Sequence, residues 1–583
     1  MSTQNKVSAV ETVKEKSQFL RGAIPDELHD GTEKFGKDSV QLLKHHGIYQ
    51  QDNRDERGKS DPTPAGKSSR ATSFMVRTKL PGGKLTSPQL LAELDLCDEI
   101  ANGTLRITDR QGLQLHGVLK DDLQRTLRRI NEVHMSTLAA CGDVERNVMC
   151  TPVPYTNRPE YRAMQELADR LAEHLCPRTR SYYQVWLRDE ETGERQLVDD
   201  GRPADEVEPI YGAHYLPRKF KTAIGLPGDN SVDLYAQDLG LMAICAGEGS
   251  QRRIVGYNML VGGGFGVTPS AAKTYPALAQ PMAFVTPEQV VDVSTEVIKV
   301  QRDYGNREDR KVARLKYTIA NMGGIGAFKK KVEEYYGAAL PDPKPVPVTD
   351  YDDCMGWREQ GDGRWFYGLN VENGRVKDEG EFRLKTALRQ ICHELQPTIR
   401  LTPHQSLLFC DVAPESRGRL EELLRSHGVP LTEEISTVRR WSIACPALPT
   451  CGLAITESER ALPGIIDQLE PILAELGLQN ERFTVRMTGC PNGCARPYNS
   501  DIGLVGKTKG KYTLFVGGRV EGDRLNFIHR DLVADEQVVP MIGALLAHFQ
   551  AHRLPGESFG DFCHRQGNDA LLPVTEHLAT DEE

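Results

Sequence analysis

Four cysteines stand at a spacing that can do chemistry. Cys445 and Cys451 lie in CPALPTC, with five residues between them, and Cys490 and Cys494 lie in CPNGC, with three. Thirty-eight residues separate the two pairs. Four thiolates are the ligand set of an iron–sulfur cluster, and Gly, Pro and Asn in such loops free backbone N–H groups to hydrogen-bond the sulfurs. Zinc is a competing reading, although its ligands more often have two to four residues between them than five. Buried, unliganded thiols are a third. The chain has 13 cysteines, an odd number for a disulfide framework, and the other nine form no second constellation.

The chain carries a net charge of −10, yet it concentrates cations in patterned places. These are Arg77 and Lys79 (MVRTKLPGG), Arg106 and Arg110, Arg146, and Arg218, Lys219 and Lys221 (LPRKFKT). On an alternating segment Lys219 and Lys221 share a face, where two ammonium groups repel unless an anion joins them. Alone, such a run also fits a solvated strand edge, and Gln301 to Tyr317 a solvated helix face. Together the cations describe a pocket for a small anion or a multiply carboxylated cofactor, since Arg matches carboxylate and sulfur-oxyanion geometry. Lysines of lowered pKa can also deliver protons. Val261 to Gly264 (VGGG) allows close backbone approach to a ligand, or is a plain turn, and His116 reads first as a satisfied core histidine. No complete GxGxxG unit or Walker loop is present, so electrons have to come from a partner.

The elements that position these residues occur twice. Arg106 to Val118 (RITDRQGLQLHGV) lines up with Arg400 to Val412 (RLTPHQSLLFCDV), an offset of 294 that also pairs Arg146 with Arg440 and Pro152 with Pro446. Further on, GLP at 225 matches GCP at 489, DLGL at 238 matches DIGL at 501, and YNMLVGG at 257 matches YTLFVGG at 512. This is the pattern of a tandem duplication, and 583 residues is close to twice the offset. Projected onto the first copy, the four cysteines fall on Thr151, Asn157, Leu226 and Asn230, so only the second copy carries thiols there. Thr104 to His116 and Ile399 to Phe409 read as strands, with helices over Ser87 to Ala101 and Leu123 to Val133, an α+β arrangement. Breaker-rich stretches at Asp61 to Thr72 and Ala339 to Asp350 mark an arm and a connector.

At 39% hydrophobic and 26% charged the composition is globular. No run approaches the roughly 18 apolar residues of a membrane span, and the charged N-terminus has no signal-peptide centre, so a cytoplasmic protein is expected. The acidic balance argues against a nucleic-acid partner.

On these motifs, supported by YQQDNRDER at 49 to 57 and RNVMC at 146 to 150, the sequence resembles the sulfite and nitrite reductase family, and within it the hemoproteins of assimilatory sulfite reduction. The resemblance runs from about Ser17 to near the C-terminus. It implies a tandem-duplicated α+β fold with pseudo-twofold symmetry, made of ferredoxin-like half-domains and two larger α+β domains. The divisions it implies are an arm (1–71), a half-domain (72–139), a large domain without cluster ligands (140–338), a linker (339–354), a second half-domain (355–431) and a second large domain (432–583). Cys445, Cys451, Cys490 and Cys494 would hold a 4Fe-4S cluster, with Cys494 bridging to the iron of siroheme. Arg77, Arg146, Lys219 and Lys221 would surround sulfite, and Arg106, Arg110, Gln114, His116, Arg218, Arg314 and Lys316 would contact siroheme. The implied reaction is six-electron reduction of sulfite to sulfide, in sulfate assimilation and cysteine biosynthesis. An NADPH-dependent flavoprotein is the favoured donor; Arg54 to Gly58 and Ser73 to Lys79 look closer to the ferredoxin-linked branch. Siroheme nitrite reduction to ammonia is the nearest alternative. A noncatalytic iron–sulfur or zinc-stabilised binding protein is a more distant one, against which the retained cations argue.

Overall fold

The computed structural model describes residues 7–56, 72–179, 185–199 and 208–578. Residues 61–71 of the first breaker-rich stretch, and Arg57 and Gly58 of the RDERG motif, lie outside these.

Two small antiparallel sheets and two larger mixed sheets, each of five strands, carry the architecture. The first small sheet runs Ile48–Asp52, Thr72–Thr78, Leu113–Val118, Leu105–Ile107, and ends on a two-residue strand, Arg375–Val376, from the second half of the chain. The second runs Gly356–Glu359, Trp365–Leu369, Leu407–Val412, Thr398–Leu401, and ends on Lys84–Leu85 from the first half. Each half thus caps the other's sheet edge, which would otherwise be left unpaired. Ile48–Asp52, inside the stretch read as an arm, is an edge strand of the first sheet.

The strand expected over Thr104 to His116 is a hairpin. Thr108 N–H donates to Gly112 O and Gln111 N–H to Thr108 O, with Gln111 at φ 53°. Gln405, 294 residues on, turns the second hairpin at φ 61°. Alternation was a sound guide to the strands, but the left-handed residue in their midst carries no strong sequence signal. Behind the sheets, Ser87–Glu99 begins with a capping box, Thr86 Oγ1 accepting from Gln89 N–H and Gln89 Oε1 from Thr86 N–H. Leu90 and Leu94 of this helix and Leu388 and Ile391 of Leu384–Glu394 enter one core with Leu113, Leu115, Leu407 and Phe409, so the half-sheets are packed as a pair.

The larger sheets share one topology. Met149–Cys150, Thr222–Gly225, Leu239–Ala246, Arg253–Val261 and Gln280–Val285 correspond in order and direction to Ser442–Ala444, Val485–Thr488, Ile502–Thr508, Lys511–Val516 and Phe527–Ala534. Asp233 and Arg496, both left-handed, open equivalent turns 263 residues apart and pair with each other at 2.9 Å, buried where the halves meet. This offset places Pro227 and Ser231, one residue beyond the Leu226 and Asn230 expected from GLP and GCP, opposite Cys490 and Cys494. Residues 338–355 cross between the halves without helix or strand, and Asn258 and Lys344 exchange two hydrogen bonds to hold them on the first large sheet.

Candidate cofactor and anion site

The functional face of the first small sheet is a row. Across neighbouring strands Arg77 pairs with Gln114, Gln114 with Arg106, and Arg106 with Arg375. Partners in register point to one side of a sheet, and His116, two residues beyond Gln114, joins them. Leu113 and Leu115 point the other way, into the core. The Gln114 amide oxygen accepts from Arg77 Nε at 3.0 Å and from its Nη2, while Arg77 Nη1 donates to Cys141 Sγ at 3.0 Å. Arg106 donates to Ala444 O at 2.7 Å and pairs with Glu459, which also takes two bonds from Arg375. Burial, then the neighbouring Arg375, lowers Arg106 to about 9. Both ring nitrogens of His116 are buried without a partner, so it is not the satisfied core histidine of the first reading. Burial, with Arg375 and Arg106 beside it, holds the imidazole neutral.

The matching row of the second sheet is Gly368, Leu408, Arg400 and Lys84. Leu408 and Cys410 stand where the first sheet has Gln114 and His116, and they are packed into the core of the first large domain. Elsewhere at that sister location the counterpart side chains are engaged with neighbouring residues. Arg440, the counterpart of Arg146, pairs with Asp353 of the connector, and His404, in place of Arg110, packs with Tyr351 and Trp441 at ring separations of 6.1 and 5.6 Å. Among the described residues, therefore, one such cationic row is left open.

The four thiols occupy two loops that meet at Gly489, where an added Cβ would lie 2.6 Å from both Ala447 Cβ and Thr456 O. Gly489 N–H donates to Cys445 Sγ at 3.3 Å and Asn492 Nδ2 to Cys490 Sγ at 3.5 Å, the N–H···S bonds that stabilise a thiolate cluster. Arg54, from the N-terminal segment, closes the Cys445 loop by donating to Ala454 O at 2.7 Å. Burial and then the nearby Cys494 push Cys445 up to about 12 and Cys490 to about 11. Thiols that raise one another's pKa this way need a cation among them to become thiolates, and metal binding supplies it. Among the described residues no three His, Cys, Asp or Glu side chains converge on a single metal ion. Four thiols on two loops are the donor set of an iron–sulfur cluster, and five intervening residues in one loop suit mononuclear zinc less well.

Cys494 is the exposed thiol of the four, and it opens into a narrow cleft with Arg110, Lys219, Lys221, Gln237, Arg314 and Asn492 on its walls. Phe220 between the two lysines is fully buried and bridges to Glu145, which sends Lys219 and Lys221 to the opposite side. Neither lysine's ammonium group has a hydrogen bond or ion pair among the described residues. Burial, then Arg146 and Arg218, drives Lys219 well below its ordinary range, and burial, then Arg110 and Arg314, brings Lys221 to about 7. Arg110 donates to Gln237 Oε1 at 2.9 Å and Asn147 O at 2.7 Å, leaving its Nε buried and unpartnered. Arg146 donates twice to Gly142 O at 3.2 Å, and Tyr49 lies against it beside Cys141 and Arg77. Arg218 is lowered by burial and neighbouring cations. This surplus of cations, with the unsatisfied His116 and Arg110 nitrogens, fits a polycarboxylate cofactor and an oxyanion.

Two expected contacts do other work. Lys316 donates to Gly264 O at 2.9 Å, Gly266 O at 3.2 Å and Tyr275 O, so it holds the glycine loop. Arg314 is fixed by Asp238 at 2.7 and 3.0 Å, with one edge still lining the cleft. The 301–317 stretch is not one solvated helix face, because the helix ends at Tyr304 and Arg314 and Lys316 are buried. Gly263 is required by chain packing, since its Cβ would stand 2.2 Å from Tyr235 O. Sequence reasoning missed Arg375, which reaches Arg106 through the exchange of strands between halves, and Glu459, which reaches it from the loop that follows the first cysteine pair.

Known proteins are similar throughout. The profile of the nitrite and sulphite reductase 4Fe-4S domain matches residues 166–340 and 437–580, and that of the nitrite/sulfite reductase ferredoxin-like half domain matches 68–133 and 358–427. The sulfite reductase (ferredoxin) of Synechococcus elongatus is 45% identical, over 98% of this chain and 91% of that one. The sulfite reductase (NADPH) hemoprotein beta-component of Myxococcus xanthus is 44% identical, over 97% and 98%; that of Staphylococcus haemolyticus is 42% identical, over 96% and 95%. The structure of the Mycobacterium tuberculosis NirA protein superposes with a TM-score of 0.77 at 25% identity, covering 97% of both chains. The chain belongs to the nitrite and sulfite reductase family, with its duplicated α+β fold.

Proposed function

We propose that the protein reduces sulfite to sulfide, with Cys445, Cys451, Cys490 and Cys494 holding a 4Fe-4S cluster and Cys494 shared with siroheme. The observation that carries this reading is that Cys494 opens into the same cleft as Lys219 and Lys221, two ammonium groups without a counter-ion. Arg106, Arg110, Gln114, His116, Arg218 and Arg314 would hold the siroheme, and Arg77 and Arg146 would complete the anion pocket. When bound, the paired cofactors supply electrons one at a time to the substrate sulfur.

The protein's own groups bind the oxyanion and manage protons. Taking sulfite to HS⁻ and three waters consumes six electrons and seven protons, so each departing oxygen needs acid nearby. Lys219 and the arginines balance the dianion's charge. Lys221, at about 7, can donate at neutral pH and be recharged from solvent through the open cleft. Because the donor is the protonated lysine, kcat/KM for sulfite is expected to fall as pH rises through about 7. In Lys221→Arg that fall is expected to move to higher pH; an unmoved profile would remove Lys221 from the proton path.

Sulfite-dependent oxidation of reduced methyl viologen by cofactor-loaded protein tests the reading, and nitrite turnover exceeding that of sulfite would replace it with the nitrite reaction. The electron donor is a separate protein. Relatives named for ferredoxin and for NADPH are similar to this chain to nearly the same degree. We favour the NADPH-dependent flavoprotein; activity with reduced ferredoxin and none with the flavoprotein and NADPH would reverse that choice. Among the described residues no helix is long and apolar enough to cross a membrane.

A further inference from the structure

We infer that Lys14, on the helix Ala9–Glu15, is a positioning residue for the anion pocket, acting with Arg307 and Arg310 through the backbone that presents Arg218, Lys219 and Lys221. The inference rests on the reading of that pocket as the sulfite site.

Four consecutive carbonyls, of His214 to Pro217, lead into Arg218, and three cations take all of them. Lys14 Nζ donates to Leu216 O at 2.6 Å, Arg307 to Tyr215 O at 2.7 Å and His214 O at 3.5 Å, and Arg310 to Pro217 O at 3.1 Å. Two carboxylates fix the cations in turn. Glu11 pairs with Lys14 at 2.7 Å and with Arg307. Asp143 takes two bonds from Arg310, at 2.7 and 3.1 Å, and stands 3.6 Å from Lys14. Asp143 is three residues before Arg146, so the same carboxylate ties down a second segment of the pocket. Lys14 is fully buried, and a buried ammonium persists only where its partners are well placed.

This arrangement answers a difficulty of the pocket. Lys219 and Lys221 repel each other and the arginines around them, and nothing within the cleft holds them against that repulsion. Fixing the carbonyls before Arg218 from behind keeps the ammonium groups convergent while leaving their N–H donors free for substrate. A displacement of about 1 Å in such a group can cost on the order of a hundredfold in rate.

The test compares wild type, Lys14→Met, Lys14→Arg and the more peripheral Arg307→Met, each loaded with cofactors. Lys14→Met is expected to raise KM for sulfite by about tenfold or more and to lower kcat less. Carbon monoxide, a neutral ligand for the reduced heme, is expected to bind all variants equally, because it does not read the pocket's charge. Lys14→Arg is expected to recover most of the sulfite affinity. Hydrogen exchange at the amides of residues 215–221 is expected to speed up in Lys14→Met and in Arg307→Met, a readout independent of turnover and available if Lys14→Met folds poorly. Unchanged sulfite KM and exchange in both Met variants would overturn the inference, as would equal loss of carbon monoxide and sulfite binding. Failure of the wild type to use sulfite would instead overturn the proposed function.

Discussion

Cys494→Ser is expected to lower sulfite turnover by more than about a hundredfold, the upper range seen on loss of a mere outer partner of a metal site. Serine is a hard, weakly acidic oxygen donor and a poor substitute for thiolate toward iron. Cys494 is the exposed thiol facing the cleft, whereas Cys445 and Cys490 are buried behind it, so its loss severs the one connection between cluster and cleft. The variant is expected either to lose siroheme absorption or to retain it with a heme that no longer accepts electrons. Cys176→Ala, which removes a partly buried thiol of the first half, is expected to behave as wild type. Normal turnover in Cys494→Ser, measured alongside cofactor content, would refute the shared thiolate.

The double variant Lys219→Met, Lys221→Met is expected to lower kcat/KM for sulfite by about a hundredfold or more while leaving heme and iron content unchanged. The same change is expected to raise the thermal midpoint. Both lysines are held below their ordinary pKa by burial and by neighbouring cations, so each binds its proton less tightly in the folded state than in the unfolded one. Below their unfolded pKa this difference opposes folding, and it diminishes only as pH rises past the folded value. Methionine removes the charge at similar length, and stability held back by a functional site is then released. A lower midpoint with unchanged kinetics would mean that the lysines support the fold and not the substrate.

Residues whose roles are set locally were legible in the sequence. The four cysteines announced themselves because loop ligands are close in the chain, and the 294-residue offset carried the duplication because the hairpins and helices of the two half-sheets retain it. The alternation over Leu113 to His116 marked a strand, but which of its faces carries the site was not legible: His116 read first as a core histidine, and Gln114 and His116 were named only through the family resemblance. Residues set by long-range packing were not legible. Arg375 enters the cationic row only through the exchanged strand, and Glu459 reaches Arg106 from just beyond the cysteine loop. Lys316 looked like a ligand-facing cation until three carbonyls closed around it. GLP and GCP match at an offset of 264, but the strands that lead into them align at 263, because Gly225 ends a strand whose counterpart ends on Thr488, one residue before Gly489.

The central claim is that two unequal copies build one centre, the first supplying cations and the second thiolates. Its most direct test is the visible absorption spectrum of purified, properly matured protein, with iron and labile sulfide assayed on the same sample. The account predicts siroheme bands that shift when sulfite is added, with iron and sulfide in the proportion of one four-iron cluster plus one heme iron per chain. Protein that contains zinc, or a cluster without siroheme bands, would contradict it.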